Sequence, residues 1–304
     1  MAAADQKLAR RAEARRQAKS PAPLRDSVAA DSLCHTGVVI SRRSLLLWPP
    51  ALAAAQSRRP DILLIWTTLR SVPAGIARES IVFPRAYAAS PQPELARRAI
   101  ETGKFPLAIR PGDSSLPFRQ LTAHTAEEAV RMAATLGPGS ILVFTAAGSI
   151  LPDSPREDSI RVPLAIRYPG IVVARNAPEI LISHVDLAPT LLALAGSPVP
   201  IGVNGRNLSQ LLAGKRGEVP DSIFVQGRQW RAAVRGYDKI VIDPDEEILG
   251  LFNLADDPEE QSDLSRDPAH ERTRNGMLAL ARVWMQRLGD GWSPTGARLR
   301  RTRP

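Results

Sequence analysis

The sequence predicts an α/β fold: a mostly parallel sheet flanked by helices, then a small antiparallel sheet and a terminal helix. Three observations predict it. Residues 62–65 are a continuous apolar run, the character of a strand covered on both faces, and 139–145 reads as another buried strand. Helical patterns and caps separate and follow them, as in crossover units. Past residue 221 the pattern changes to four short runs spaced by Gly, Pro and Asp, which read as an antiparallel sheet.

Each element has a local reason. Residues 59–70 read as a buried strand entering a loop. Thr125 and Glu128 form a capping box that opens a helix to about Leu136. The run 162–167 reads as one strand closed by the turn Tyr168-Pro169-Gly170, and 180–183 as a second apolar run. A helix then starts, with Asp186 as N-cap, Pro189 in the first turn and Gly196 just past the end. Leu187, Leu191, Leu192, Leu194 and Ala195 surround it, so it packs deep against the sheet. A loop at 199–208 leads to a short helix ending near Gly214. The four runs are 222–226, 230–235, 239–242 and 247–253. Residues 268–288 form a last amphipathic helix with Met277, Leu280, Ala281, Trp284 and Leu288 on one stripe.

Composition sets limits. The chain has 304 residues, 44% of them hydrophobic, and a formal net charge of +9. The positive excess sits in the tails, at Lys7–Lys19 and Arg298–Arg303, with no nucleic-acid fold motif between them. The tails read as solvated segments and no nucleic-acid partner is expected. The lone Cys34 excludes an internal disulfide and a cysteine metal site. No apolar run is long enough for a transmembrane helix. Paired Arg42 and Arg43 precede a short apolar stretch and small residues through Ala55, which looks like a twin-arginine export signal with an A-x-A cleavage site. Used, it sends the protein to the periplasm or outside the cell; unused, it leaves it cytoplasmic. Because such a signal normally opens a chain, translation is expected to begin near Val38 or Val39. The expected organisation is a basic tail at 1–40, the signal at 41–56, an α/β domain at 57–221, an antiparallel subdomain at 222–290 and a basic tail at 291–304.

The stretch from Glu157 to Gly196 resembles the sulfatase family of the alkaline phosphatase superfamily. Glu157-Asp158-Ser159-Ile160-Arg161-Val162-Pro163 follows the family's E-S-I-R-V-P, and Ser183-His184-Val185-Asp186-Leu187-Ala188-Pro189-Thr190 its S-H-V-D-L-x-P-T. Residues 251–264 resemble L-Y-D-L-x-x-D-P-x-E-x-x-N-L. The resemblance spans about residues 59 to 288, with two large deletions, and implies an alkaline phosphatase-like scaffold. Sulfatases use a divalent metal, usually calcium, and a formylglycine made from Cys or Ser.

Carried over residue by residue, the resemblance implies that the catalytic groups are missing. The acidic pair at the end of the first strand reads Thr67-Thr68. With Thr102-Gly103 as anchor, Pro93 falls on the formylglycine position and Arg97 on the motif arginine. Ser90 is the nearest hydroxyl but lies out of register and reads as a turn residue. The V-F-T-S-D-H-G segment reads Thr145-Ala146-Ala147-Gly148, and the lysine expected before Glu157 is absent. His124 reads as a surface residue at a helix entry, His184 as a structural residue at a strand-to-helix corner. The acidic cluster at 256–263 reads as a solvated, capping turn rather than a metal site. No catalytic, metal or cofactor residue is therefore assigned. The expected protein is a degenerate, non-catalytic family member that binds an anionic ligand or partner. The alternative is an active sulfate- or phosphate-ester hydrolase with relocated residues. The sequence leaves the ligand and the oligomeric state open.

Overall fold

The computed structural model describes residues 59–113, 116–146 and 153–291. The expected tail at 1–40, the signal-like segment at 41–56 and the basic tail past Gly291 lie outside the described residues.

Six strands form the main sheet: β1 (Ile62–Thr67), β2 (Ile81–Val82), β4 (Arg119–Ala123), β5 (Ile141–Ala146), β7 (Leu164–Arg167) and β8 (Arg175–Asn176). Their order is β4-β1-β5-β7-β2-β8. Both neighbours of β1 run parallel to it, while β7 is antiparallel to β5 and β2. A three-stranded sheet joins β6 (Arg161–Val162), β3 (Ala86–Tyr87) and β9 (Ile182–Ser183). An antiparallel meander contains β10 (Ser222–Gln226), β11 (Arg231–Arg235), β12 (Asp238–Ile242) and β13 (Ile248–Asn253). The helices are α1 (Ala74–Ala77), α2 (Pro93–Thr102), α3 (Ala126–Ala134), α4 (Glu157–Ile160), α5 (Leu187–Leu194), α6 (Ser209–Leu212) and α7 (Glu271–Leu288).

Alternation along β1 and β5 explains the layers. Successive side chains point to opposite faces. Leu63, Ile65, Leu142 and Phe144 meet Ile76 of α1 and Ala129 and Ala133 of α3. Ile62, Leu64, Ile141 and Val143 meet Ile100 of α2 and Leu187 and Leu191 of α5. Both faces are covered, so both parities are apolar, as the continuous runs require. The meander does the same with different cover. Phe224, Ile240 and Ile242 pack on Met277, Ala281 and Trp284 of α7. Trp284 stacks on Phe224 at 5.9 Å, and Phe105 meets both rings edge-on. The other face, with Ile223, Val225 and Val241, packs on Tyr87, Ile160 and Leu181.

The caps follow local chemistry. Thr125 Oγ1 accepts the Glu128 N–H, and the Glu128 carboxylate accepts the Thr125 N–H, closing the box that opens α3. α7 ends at Gly289, which is left-handed at φ 60°.

Two expectations need correction, and two segments gain detail. The run 162–167 is not one strand: Pro163 divides it into β6 and β7, which lie in different sheets. Proline has no N–H for a ladder, so the chain changes sheet there. Of the run 180–183, only Ile182 and Ser183 pair as strand. Residues 119–123, to which the sequence assigned no element, form β4, the edge strand beside β1. Its polar Arg119, Gln120 and Thr122 hid it, since an edge strand is only partly covered. Asp186 precedes α5, but its carboxylate does not cap it. It accepts the backbone N–H groups of Ser183 at 2.9 Å and Arg206 at 2.7 Å.

Leu191 is 1% exposed and faces the sheet from α5. Leu191→Ala is expected to destabilise the protein by about 2–5 kcal/mol, the cost of emptying a packed core site. Urea melts of the two proteins measure this; a near-silent change would remove α5 from the centre of the fold.

Candidate functional site

The carboxyl ends of a parallel sheet are where α/β proteins place ligands. Here β4, β1 and β5 end in Ala123, Thr67 and Ala146, paired side by side across the sheet. All three are buried. Thr67 Oγ1 accepts the Leu69 N–H at 3.0 Å, so the one hydroxyl of the row is already engaged. Thr68 is exposed. Ala147 lies outside the described residues. The row thus presents two methyl groups and one neutral oxygen, and no charge.

His184 lies near this end, in a 3-10 turn between β9 and α5. Its Nε2 is 3.2 Å from Thr145 Oγ1, and its ring is 6.2 Å from that of Trp66. The side chain is fully buried, and its Nδ1 has no hydrogen-bond partner among the described residues. Burial alone pushes its pKa down to about 3, so the imidazole is neutral at physiological pH. This places His184 at the corner the sequence assigned it. His124 is exposed, and its N–H donates to Glu128, as expected of a helix entry.

Pro93 is the first residue of α2 and is exposed. Proline is favoured there, because its fixed φ suits the first turn, but it carries no nucleophilic atom. Arg97 is one turn further on and also exposed, with its Nε 3.3 Å from Glu101 of the same helix. Ser90 is fully buried, and its Oγ accepts the Gln92 N–H, the turn role expected of it. Among the described residues, no three His, Cys, Asp or Glu side chains gather closely enough to hold a metal ion.

Sequence reasoning did not find the cleft that opens past β1. It has a volume of about 430 Å³, and Arg70 and Arg161 line it together with Asp158, Val162 and Pro258. Arg70 Nη1 donates to the Asp158 carbonyl, fixing one guanidinium to the far wall. Arg161 is exposed. The available signal was local: Arg70 lies in the loop just past the end of β1, and Arg161 sits within the E-S-I-R-V-P-like motif. A second cleft, of about 610 Å³, lies between the start of α2 and the meander. Its polar floor is Arg231 against Asp290 at 2.6 Å, with Gln226 also donating to Asp290.

Residues 155–283 match the family model described as "N-sulphoglucosamine sulphohydrolase, C-terminal". An ulvan-active sulfatase of Formosa agariphila is 30% identical over 147 residues, covering 44% of this chain and 28% of that protein. An extracellular sulfatase SULF-1 homolog of Drosophila melanogaster is 40% identical over 76 residues, 24% of this chain and 7% of its own length. The chain therefore spans well under two thirds of these relatives. In three dimensions it resembles a 2-O GAG sulfatase, with a TM-score of 0.62 at 13% identity over 77% of this chain and 94% of that one. A phosphonate monoester hydrolase of Agrobacterium radiobacter gives 0.56 at 13% identity over 72% and 94%. Those two likenesses establish the fold.

The buried neutral His184 predicts acid sensitivity. Its folded pKa of about 3 lies below the ordinary 6.5, so the unfolded chain binds the proton more readily. Stability is then lost as pH falls below about 6.5, at about 1.4 kcal/mol per pH unit. Relative to His184→Gln, the protein should lose about 1.4 kcal/mol between pH 7 and pH 5.5 in urea melts. Parallel pH profiles for the two proteins would contradict the assignment.

Proposed function

Since the chain belongs to the sulfatase family, we propose that it is a non-catalytic member whose scaffold binds an anionic ligand in the cleft flanked by Arg70 and Arg161. The observation that carries this reading is the row Ala123, Thr67, Ala146 at the carboxyl ends of the parallel strands. Sulfuric ester hydrolysis in this family needs a metal-bound nucleophile and groups that take up charge in the transition state. A calcium ion needs several oxygens with net negative charge. One engaged hydroxyl between two methyl groups does not fit such an ion, and Pro93 cannot be converted to formylglycine. No step is derived through either group.

The scaffold still offers positive charge at its mouth. Arg70 is held by a backbone carbonyl, and Arg161 projects from β6 across the same cleft. A guanidinium is always charged and matches the oxygen geometry of sulfate, phosphate or carboxylate. The ligand class is accordingly an oxyanion, free or carried on a larger molecule. The reading also includes export through the signal-like segment at 41–56. The paired Arg42 and Arg43 support it, as do the relatives named extracellular sulfatases. Among the described residues no helix is long and apolar enough to cross a membrane.

Two measurements test the reading. Full-length protein with chromogenic sulfate and phosphate esters, plus calcium, manganese or zinc, is expected to show no turnover above buffer. Metal-dependent turnover abolished by chelator would overturn the non-catalytic reading. In thermal melts, millimolar calcium or chelator should move Tm by no more than about a degree, because an ion at about 100 times its Kd would contribute roughly 2.7 kcal/mol and several degrees. Sulfate should raise Tm more than chloride at matched ionic strength. The excess should shrink in the Arg70→Gln/Arg161→Gln double variant to the part that general salt exclusion gives, which separates binding from exclusion.

A further inference from the structure

Beside the cleft, four largely buried polar side chains from four segments meet. They are Tyr87 of β3, Glu157 of α4, Lys239 of β12 and Glu260 in the turn after β13. Lys239 is 0% exposed and the other three are also buried. Lys239 Nζ is 2.5 Å from Glu260 Oε1 and 3.5 Å from Glu157 Oε2. Tyr87 Oη donates to Glu157 Oε1 at 2.8 Å, and the Glu157 N–H donates to Glu260 Oε2 at 2.6 Å. Glu260 takes a left-handed backbone, φ 56°, to turn inward from an otherwise solvated loop.

The charges do not balance. Two carboxylates face one ammonium, so with both ionised the cluster carries a net negative charge in a largely buried space. Such a charge is costly unless a proton or a second cation neutralises it. Arg161 is the next cation acting on Glu157. The geometry says which carboxylate accepts the proton. Glu260 Oε1 lies 2.5 Å from the ammonium and its Oε2 accepts the Glu157 N–H, whereas Glu157 Oε2 has only Lys239 at 3.5 Å; neither ion pair has hydrogen-bond geometry. Burial pushes the Glu157 carboxyl up, against Lys239 and Tyr87, which hold it down, while Glu260 adds to the rise. Glu157 also lines the cleft, and Arg161 follows four residues later on the same wall.

We propose that Tyr87, Glu157, Lys239 and Glu260 form a proton latch: Glu157 takes one proton from solvent as pH falls, and that uptake tightens oxyanion binding in the cleft. Protonation removes one negative charge beside the ligand, so the ligand binds better. By linkage, a bound anion in turn favours the proton. The coupling rests on the anion-binding reading of the cleft; the latch itself does not.

Thermal melts of the full chain from about pH 8 to about pH 5, with and without sulfate, separate the two. Glu157 has a folded pKa above its unfolded one, so its ionised form is penalised at the upper end and relieved as pH falls through the folded value. The Tm of the natural protein minus that of Glu157→Gln should therefore rise on acidification. The His184 contribution is common to both and cancels. A flat difference overturns the latch. Should Glu157→Gln fail to fold, Tyr87→Phe serves: it removes a donor to the carboxylate, so its Tm deficit should be larger at high pH than at low pH, and an unchanging deficit overturns the latch equally. With sulfate, the dissociation constant should be at least about twofold lower at the acid end, the least expected for one unit charge removed near the ligand. Glu157→Gln should show no such change. A pH-independent constant in the natural protein overturns the coupling. Absence of sulfate binding at every pH overturns the anion reading, and with it the coupling, while the melts without sulfate still decide the latch.

Discussion

The structure depends on one buried carboxylate. Asp186 is 1% exposed, sits between β9 and α5, and accepts N–H groups from Ser183 on one side and Arg206 on the other. The Arg206 guanidinium lies 3.5 Å away. Burial pushes the carboxyl up; Arg206 and the two amides oppose it. The carboxylate thereby joins the strand-to-helix corner to the loop at 199–208. Gly205 makes the approach feasible, since a Cβ there would lie 1.8 Å from the Val185 carbonyl oxygen. The same corner fixes His184 against Thr145, and Val185 enters the core under α7. Two hydrophobic clusters meet at this point, so an altered corner would disturb both sheets.

How much of this was legible in the sequence depended on whether the signal was local. The meander, its strand bounds and the stripe on α7 could be read almost to the residue, because alternation and turn chemistry act over a few positions. The capping box at Thr125 was legible for the same reason. Pro163 was read as part of a strand because the flanking residues are apolar; that they enter different sheets is a tertiary fact. β4 has no pattern of its own and forms because β1 offers it an edge. Asp186 stands where an N-cap would, but its partners come from Ser183 and from Arg206 across the fold, and the second of these no window around the helix start contains.

The site divides along the same line. The motif positions Thr67, Pro93, Arg97 and Ala146 could be named from the chain alone, and Thr67 and Ala146 do lie side by side. Pro93 and Arg97 are exposed on α2, with Arg97 turned to Glu101. The Arg70–Arg161 cleft and the Lys239 cluster were not legible, because each joins segments that lie outside any one local window of the chain. Glu260 was read within a solvated acidic turn. Its neighbours fit that reading: Asp257 accepts the Ser262 N–H and Asp263 the Leu251 N–H. Glu260 alone turns inward, because Lys239 is there to meet it.

The methyl row and the buried cluster follow one electrostatic rule. Carboxylates gathered at the closed end of a sheet repel one another and lose hydration, so they persist only with a cation among them. Where Thr67 and Ala146 stand, no cationic side chain is hydrogen-bonded or ion-paired to the row in the described structure, and neutral side chains are the arrangement that needs none. At Glu157 and Glu260 the carboxylates remain, and Lys239 stands between them as the resident cation. A neutral row needs no metal to fold, whereas the pair at Lys239 needs its lysine. Replacing Ala146 with Asp would therefore place an unpaired charge beside Thr67, at a cost of several kcal/mol unless a cation joins it. The scaffold keeps its packing because its buried carboxylates have partners within the chain.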